Sequence, residues 1–398
     1  MEELDVYSGK LNYKDICFDF VYDKQELRLI PPRDKKREVS NWKKKELFPG
    51  VYTMGDPLTI DSPYLEGIIS ETDQKVIFIT RQGAFIGSYN SVLLIEVVAV
   101  ILFSTEKKLI SKIVFTGPEI NVIHSVGNAF TLIYDEEQSQ KGIISIQTAE
   151  YEKTTTEKRS FIVDDNEVAV HFGIGRRVSM GVQDTPLKLA STMVFEFEPT
   201  DKYEFIFRLY NIAKLFIQYL CYRRNIVFDA IELSTLMDNG MYHTCAKMQV
   251  LDSISQCETK PIKDGRCIKQ QYIEGCEGKI LSDIASDTIY TRHLPDTYEA
   301  GKHIDAARFV MITAAFEWEF RRVFPEGVKK KQAKIQAEEQ ANQVLQELIN
   351  DSTGELKVLY KYMQKSIGSS PLSGKITFVG KSLAEIIDMF GKYLYGLN

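Results

Sequence analysis

Over the first 200 residues, apolar and polar positions exchange with a period of two. Ile16, Phe18, Phe20 and Tyr22 alternate with Cys17, Asp19 and Val21, a pattern that buries one face of a strand. Val168, Val170, Phe172 and Ile174 repeat it, as do Met193, Phe195 and Phe197, with Glu196 and Glu198 facing the other way. KVIFIT, SKIVFT, NAFTLIY and KGIISIQ lie between them, set off by Gly, Pro, Asn and Asp as turns require. Many short strands without intervening helices predict a sandwich or a barrel-like sheet.

The period then changes. From Asp201 to Arg223, Phe205, Leu209, Ile212, Phe216, Tyr219 and Leu220 recur in helical steps, so an amphipathic helix is expected there. NIVFDAIEL follows as a further strand and is expected to close the first domain near residue 235. Residues 236–296 read as a connector or a β extension. From about 297 the pattern is helical. Ile304 to Phe324 is apolar on nearly every face and ends at Pro325-Glu326-Gly327, and Lys329 to Asn350 is rich in helix formers. A third helix is expected over Glu355–Ser366, a loop over Gly368–Gly374, and a fourth helix over Ser382–Tyr395. The predicted class is α+β: a β-rich, sandwich-like domain over 1–235, then a helical bundle over 297–398.

Composition fits a globular chain of two or three domains, with 44% hydrophobic and 26% charged residues in 398. The net charge of -6 argues against broad nonspecific nucleic-acid binding but leaves room for a local basic patch. The acidic start MEELDVYSGK has no apolar core of a signal peptide. The longest apolar run, Val92 to Phe103, is shorter than the roughly 20 residues of a membrane helix and suits a buried strand or pair of strands. Six cysteines without a secretory signal are expected to be reduced thiols in a cytoplasmic protein that needs no membrane.

Some residue groups suggest chemistry. Arg33, Lys35, Lys36, Arg37, Lys43, Lys44 and Lys45 bracket Trp42, a combination that suits a nucleic-acid backbone and a stacked base, or simply a solvated loop. Lys329, Lys330, Lys331 and Lys334 form a second basic cluster at a helix start. Gly374 to Ser382 comes close to a P-loop, but five residues separate its glycines where four are required, so a loop before a helix is the plainer reading. Gly173-Ile174-Gly175 before Arg176-Arg177 reads as a strand-end turn with an exposed basic pair. His243, Cys245, Cys257, Cys267 and Cys276 hold zinc-type donors without a Cys-x-x-Cys knuckle, so free or buried thiols are expected and no metal site or cofactor is assigned. Asp164-Asp165 reads as a turn. A carbohydrate-cleaving β enzyme would need facing carboxylates that spacing alone does not show.

The segment HIDAARFVMITAAFEWEFRRVFPEG, with its step Ala314-Ala315-Phe316-Glu317, resembles the first helix of a HEPN domain. The β-rich region followed by FIFRLYNIAKLFIQYLCYRRNIVFDAIEL resembles the N-terminal domain of ApeA-like proteins, which place a HEPN bundle C-terminally. The resemblance implies a metal-independent ribonuclease of a bacterial phage-defence or abortive-infection system. It implies RNA as a partner, a trigger recognised by the β domain, and a homodimer formed through the helical bundle. It also implies a supporting catalytic role for Glu317 and RNA contacts from Lys329, Lys330, Lys331 and Lys334. HEPN catalysis uses Arg and His five residues apart, the His moving the proton and the Arg neutralising phosphate charge. Here Glu119, Asn166, Asp238, Thr288 and Tyr298 stand five residues before the histidines, so the motif is missing. The chain is therefore expected either to continue into the motif beyond Asn398 or to be a non-catalytic binding protein whose helices dimerise.

Overall fold

The computed structural model describes residues 6–388 apart from 24–25, 55–57, 90, 107–108, 144, 179–180, 182–184, 186 and 252–266. The chain divides into two compact units, Met1–Thr288 with Pro295–Ala300, and Ile289–Leu294 with Gly301–Asn398.

The first unit opens with β1 (Tyr7–Tyr13), β2 (Ile16–Asp23) and β3 (Glu26–Ile30). A short helix α1 (Lys36–Asn41) leads into the hairpin of β4 (Lys44–Phe48) and β5 (Val51–Met54). Next come β6 (Tyr64–Ile69), β7 (Lys75–Thr80), β8 (Gly87–Tyr89), β9 (Val92–Phe103) and β10 (Ile110–Thr116). Helix α2 (Pro118–Ile123), β11 (Phe130–Ile133), α3 (Glu136–Gln140) and β12 (Ser145–Thr148) follow. The unit continues with β13 (Arg159–Val163), β14 (Asn166–Val178), β15 (Leu187–Thr200), α4 (Tyr203–Cys221), β16 (Ala230–Leu236), β17 (Tyr242–Val250) and α5 (Glu277–Ala285).

Among the described residues, 13 strands form one antiparallel sheet in the order β13-β14-β15-β10-β16-β17-β9-β3-β2-β1-β6-β7, with β8 beside β9. Of the sandwich or barrel-like sheet expected from alternation, these strands form one continuous sheet with a barrel-like part, not two separate sheets. The reason lies in β9, whose 12 residues are enough to serve several neighbours. Leu93 to Glu96 pair with β3, Ala99 to Phe103 with β17, and Val97 to Leu102 with β7. The path from β9 through β3, β2, β1 and β6 returns to β9 by way of β7, which makes this part barrel-like. Its inward alternation is the one visible in sequence: Phe18, Phe20, Tyr22, Leu27, Leu29 and Phe78 are fully buried.

The run Val92–Phe103 is a single strand. For residues 236–296, read as connector or β extension, the pairing of β17 between β16 and β9 places Tyr242–Val250 inside the sheet. NAFTLIY and KGIISIQ contribute β11 and β12, a separate hairpin that leaves Leu132, Ile133 and Ile146 exposed. The predicted helix forms as α4. Its buried face lies on the sheet, Phe205 meeting Phe197 edge-on at 5.7 Å and Phe216 facing Phe172 at 6.5 Å.

After α6 (Tyr298–Gly301), the second unit contains α7 (Ala306–Val323), α8 (Gln332–Asp351), α9 (Gly354–Ser366) and α10 (Leu372–Ser382). Gly374–Ser382 is thus helix interior, and the predicted loop over Gly368–Gly374 ends early. Leu372, Ile376, Val379 and Leu383 recur in steps of three and four, and neither glycine has a positive φ to break that period. The fourth helix predicted from Ser382 onward falls partly on residues 389–398, outside the described residues. No helix among the described residues is long and apolar enough to cross a membrane.

Candidate functional site

In the helical unit, Glu317 stands on α7 one turn before Phe320. Its Oε2 accepts a hydrogen bond from Lys375 Nζ of α10 at 2.5 Å, and the same ammonium lies 5.5 Å from the centre of the Phe320 ring. Phe378 packs edge-on against Phe320 at 6.3 Å and Phe324 at 5.2 Å. Spacings of three on both helices bring the carboxylate, the ammonium and the rings onto facing sides. Glu317 therefore has an ion-pair partner, as expected of a structural helix residue. Lys375, whose position the P-loop-like string concealed, supplies that partner.

Of the basic cluster, Lys330 is a tether: Nζ donates to Glu338 Oε2 at 2.7 Å and to the Gly368 carbonyl at 2.6 Å. Lys329, Lys331 and Lys334 are exposed and carry no recorded ion pair among the described residues. The cluster thus offers three open cations beside one that is engaged.

In the β unit the stretch around Trp42 departs from a solvated loop. Residues 36–41 are helical, and Trp42 turns inward, meeting Tyr13 at 6.1 Å and Phe18 at 6.2 Å. That packing removes Trp42 as a stacking platform. Lys36, Arg37 and Lys44 stay exposed. Lys36, Arg37, Ser40, Asn41, Lys44 and Ser91 line a cavity of about 410 Å³.

The remaining sequence candidates separate. Gly173 to Arg177 lie within β14, paired along β15, so they are strand rather than turn; Arg176 sits 4.4 Å from the Tyr151 ring centre. His243 is exposed on β17, whereas Cys245 is buried on the same strand and its thiol donates to the Leu233 carbonyl at 3.4 Å. Cys267 is buried, Cys276 is exposed and Cys257 lies outside the described residues. Among the described residues no group of three His, Cys, Asp or Glu side chains is placed to hold a metal ion. Asp164 and Asp165 form the left-handed turn between β13 and β14, with φ of 49° and 63°. They line a groove of about 820 Å³ with Glu167, Glu198, Asp201 and Glu204, where Arg208 bonds Asp164 at 3.0 Å.

One cluster escaped the sequence reading because its members come from separate strands. Glu196 of β15 is held by Lys158 and, at 3.7 Å, by Lys112 of β10, whose ammonium lies 4.5 Å from the Tyr242 ring centre. Burial pulls Lys112 below its ordinary range despite Glu196. Burial likewise lowers His171 on β14, with Glu196 opposing and Lys112 and Lys158 reinforcing the shift. Its Nδ1 is buried without a recorded partner among the described residues. Because the folded value lies below the unfolded one, the unfolded chain takes up the proton first. The stability contribution is present above the unfolded value of about 6.5 and is lost as pH falls through the folded value. The urea midpoint of the β unit should drop on acidification from about pH 7.5 to about pH 5, and His171→Leu should flatten part of that drop. An unchanged pH profile in the variant would show that His171 is not the group responsible.

No family model matches the chain, and no curated protein or solved structure matches it.

Proposed function

We propose that this chain is the recognition and assembly part of an RNA-cleaving defence effector of the HEPN kind, the β unit taking a trigger and the helical unit pairing with a second copy. One observation carries the assembly half. Among the described residues past α6, only Ala315, Phe320, Leu345 and Ile349 are buried hydrophobic residues, while Trp318, Leu348, Leu356, Leu359, Tyr362 and Met363 are exposed. Leu356, Leu359 and Met363 form one stripe along α9, and an apolar stripe facing water suits a partner helix of the same kind.

Cleavage by these residues alone is not part of the reading. It would need Arg and His in the HEPN spacing, which no histidine of the 398 residues has, and Glu317 is occupied by Lys375. That ion pair also favours a second reading, a binding protein without catalysis.

The purified chain should run as a dimer in light scattering and leave labelled RNA intact. Leu359→Asp should weaken dimerisation by at least about thirtyfold, the effect of losing a buried interface anchor. A monomeric parent chain would remove the assembly half, and robust RNA cleavage free of contaminants would remove the inactivity. Cleavage assays on the full natural gene product separate the effector from the binding protein.

A further inference from the structure

We propose that the cavity beside α1 binds a small polyphosphate, inorganic or esterified. The assignment gives the trigger of the β unit a chemical class and so rests on that reading, although it is tested independently of the helical unit.

The local sequence builds the site. Lys36, Arg37, Ser40 and Asn41 are spaced so that they share one face of α1. Val39 is buried in the barrel-like core and fixes the helix from below. Trp42, packed on Tyr13 and Phe18, anchors the chain just after the helix. Across the cavity, Ser40 Oγ and Ser91 Oγ lie 2.6 Å apart and tie α1 to the turn before β9. Lys44, first residue of β4, brings a third cation to the same space.

The lining decides what fits. A volume of about 410 Å³ suits a small molecule. The described lining residues comprise three cations, two hydroxyls and one amide, with no carboxylate and no apolar side chain. None of the three cations has a recorded ion pair among the described residues, whereas neighbouring Lys35 is paired with Glu38 at 2.8 Å. Like charges held around one space repel, and an anion between them turns that repulsion into attraction. Arg supplies a planar fork for phosphate oxygens, and the two Lys supply compact charges. Three cations call for more negative charge than one phosphate carries, which selects a chain of phosphates. Among the described lining residues a base or acyl chain finds no apolar wall. An RNA strand finds no aromatic platform among them either, because Trp42 packs on Tyr13 and Phe18.

Isothermal titration of the full chain with sodium tripolyphosphate should give saturable one-to-one binding, weakened by raised salt. The Lys36→Gln, Arg37→Gln double variant and Lys44→Gln should each lose about tenfold or more in affinity, while Arg33→Gln, outside the lining, should bind as the parent does. Circular dichroism should show all variants folded. ATP binding as tightly as tripolyphosphate would support the site and admit an esterified source; ATP binding clearly more weakly would support the inorganic one. No binding, binding indifferent to the lining variants, or binding of single-stranded RNA without tripolyphosphate would overturn the proposal. The light-scattering result for the helical unit bears on none of these outcomes, so a failed titration and a failed dimer are told apart.

Discussion

Glu119→Ala is expected to destabilise the β unit by about 3–5 kcal/mol, the range for stripping a buried ion pair of one partner. Glu119 Oε1 accepts from Arg223 Nη2 at 2.8 Å, and the two side chains are only 6% and 5% exposed. The pair joins the first turn of α2 to the chain just beyond α4. Removing the carboxylate leaves a guanidinium in a place water does not reach. Arg223→Ala should be as damaging, since it strands the carboxylate. Burial holds the Glu119 carboxyl above its ordinary value even beside Arg223, and Glu119 Oε2 has no recorded hydrogen-bond partner among the described residues. With the folded value raised, the proton-linked contribution is present below the unfolded value and lost as pH rises through the folded one. The intact pair is therefore a costly one at neutral pH. The double variant Glu119→Leu, Arg223→Met should recover most of the loss, because an apolar pair of similar volume avoids the desolvation. Urea unfolding of the parent and the three variants measures each of these differences. Single variants within about 1 kcal/mol of the parent would mean that the pair is wetter than the fold implies.

Gly9→Ala should cost about 3 kcal/mol or more, at the upper end of what overpacking does. Gly9 pairs with Phe20 on β2 and Ile69 on β6. A methyl group there would lie 2.0 Å from the Ile68 carbonyl oxygen and 2.7 Å from the Phe20 ring. The carbonyl is backbone and cannot swing aside, so β1 and β6 would have to separate. The missing side chain is what lets the Phe20 ring fill the barrel-like part and meet Phe78 edge-on at 5.2 Å. A methyl group at Gly67 would meet the same Phe20 ring at 2.9 Å, a side chain at its tightest point, so Gly67→Ala should be milder. Equal urea midpoints for the two variants would contradict this ranking.

How far these features could be read from sequence follows from how local each one is. The strand at Ile16 and the helix after Asp201 declare themselves because their period is set by the nearest neighbours in the chain. Closure of the barrel-like part does not, because it depends on β7 meeting β9, a pairing that no short window contains. Trp42 sits in a basic stretch and reads as exposed, yet two aromatic residues from β1 and β2 draw it inward. At Gly374 a resemblance to a phosphate loop competes with a helical period, and the period prevails. Glu317 is visible as a residue but not as half of a pair, since Lys375 stands 58 positions away. The cavity beside α1 was half legible: its cations were evident, but Ser91, 51 positions from Ser40, was not.

Strand β9 belongs to both the closed and the open parts of the sheet. A boundary within a sheet normally lets one side melt while the other persists. Here the dividing wall is itself a shared member, so β3, β7 and β17 each lose a pairing partner once that wall is gone. The first unit should therefore unfold as a single cooperative block rather than in two steps.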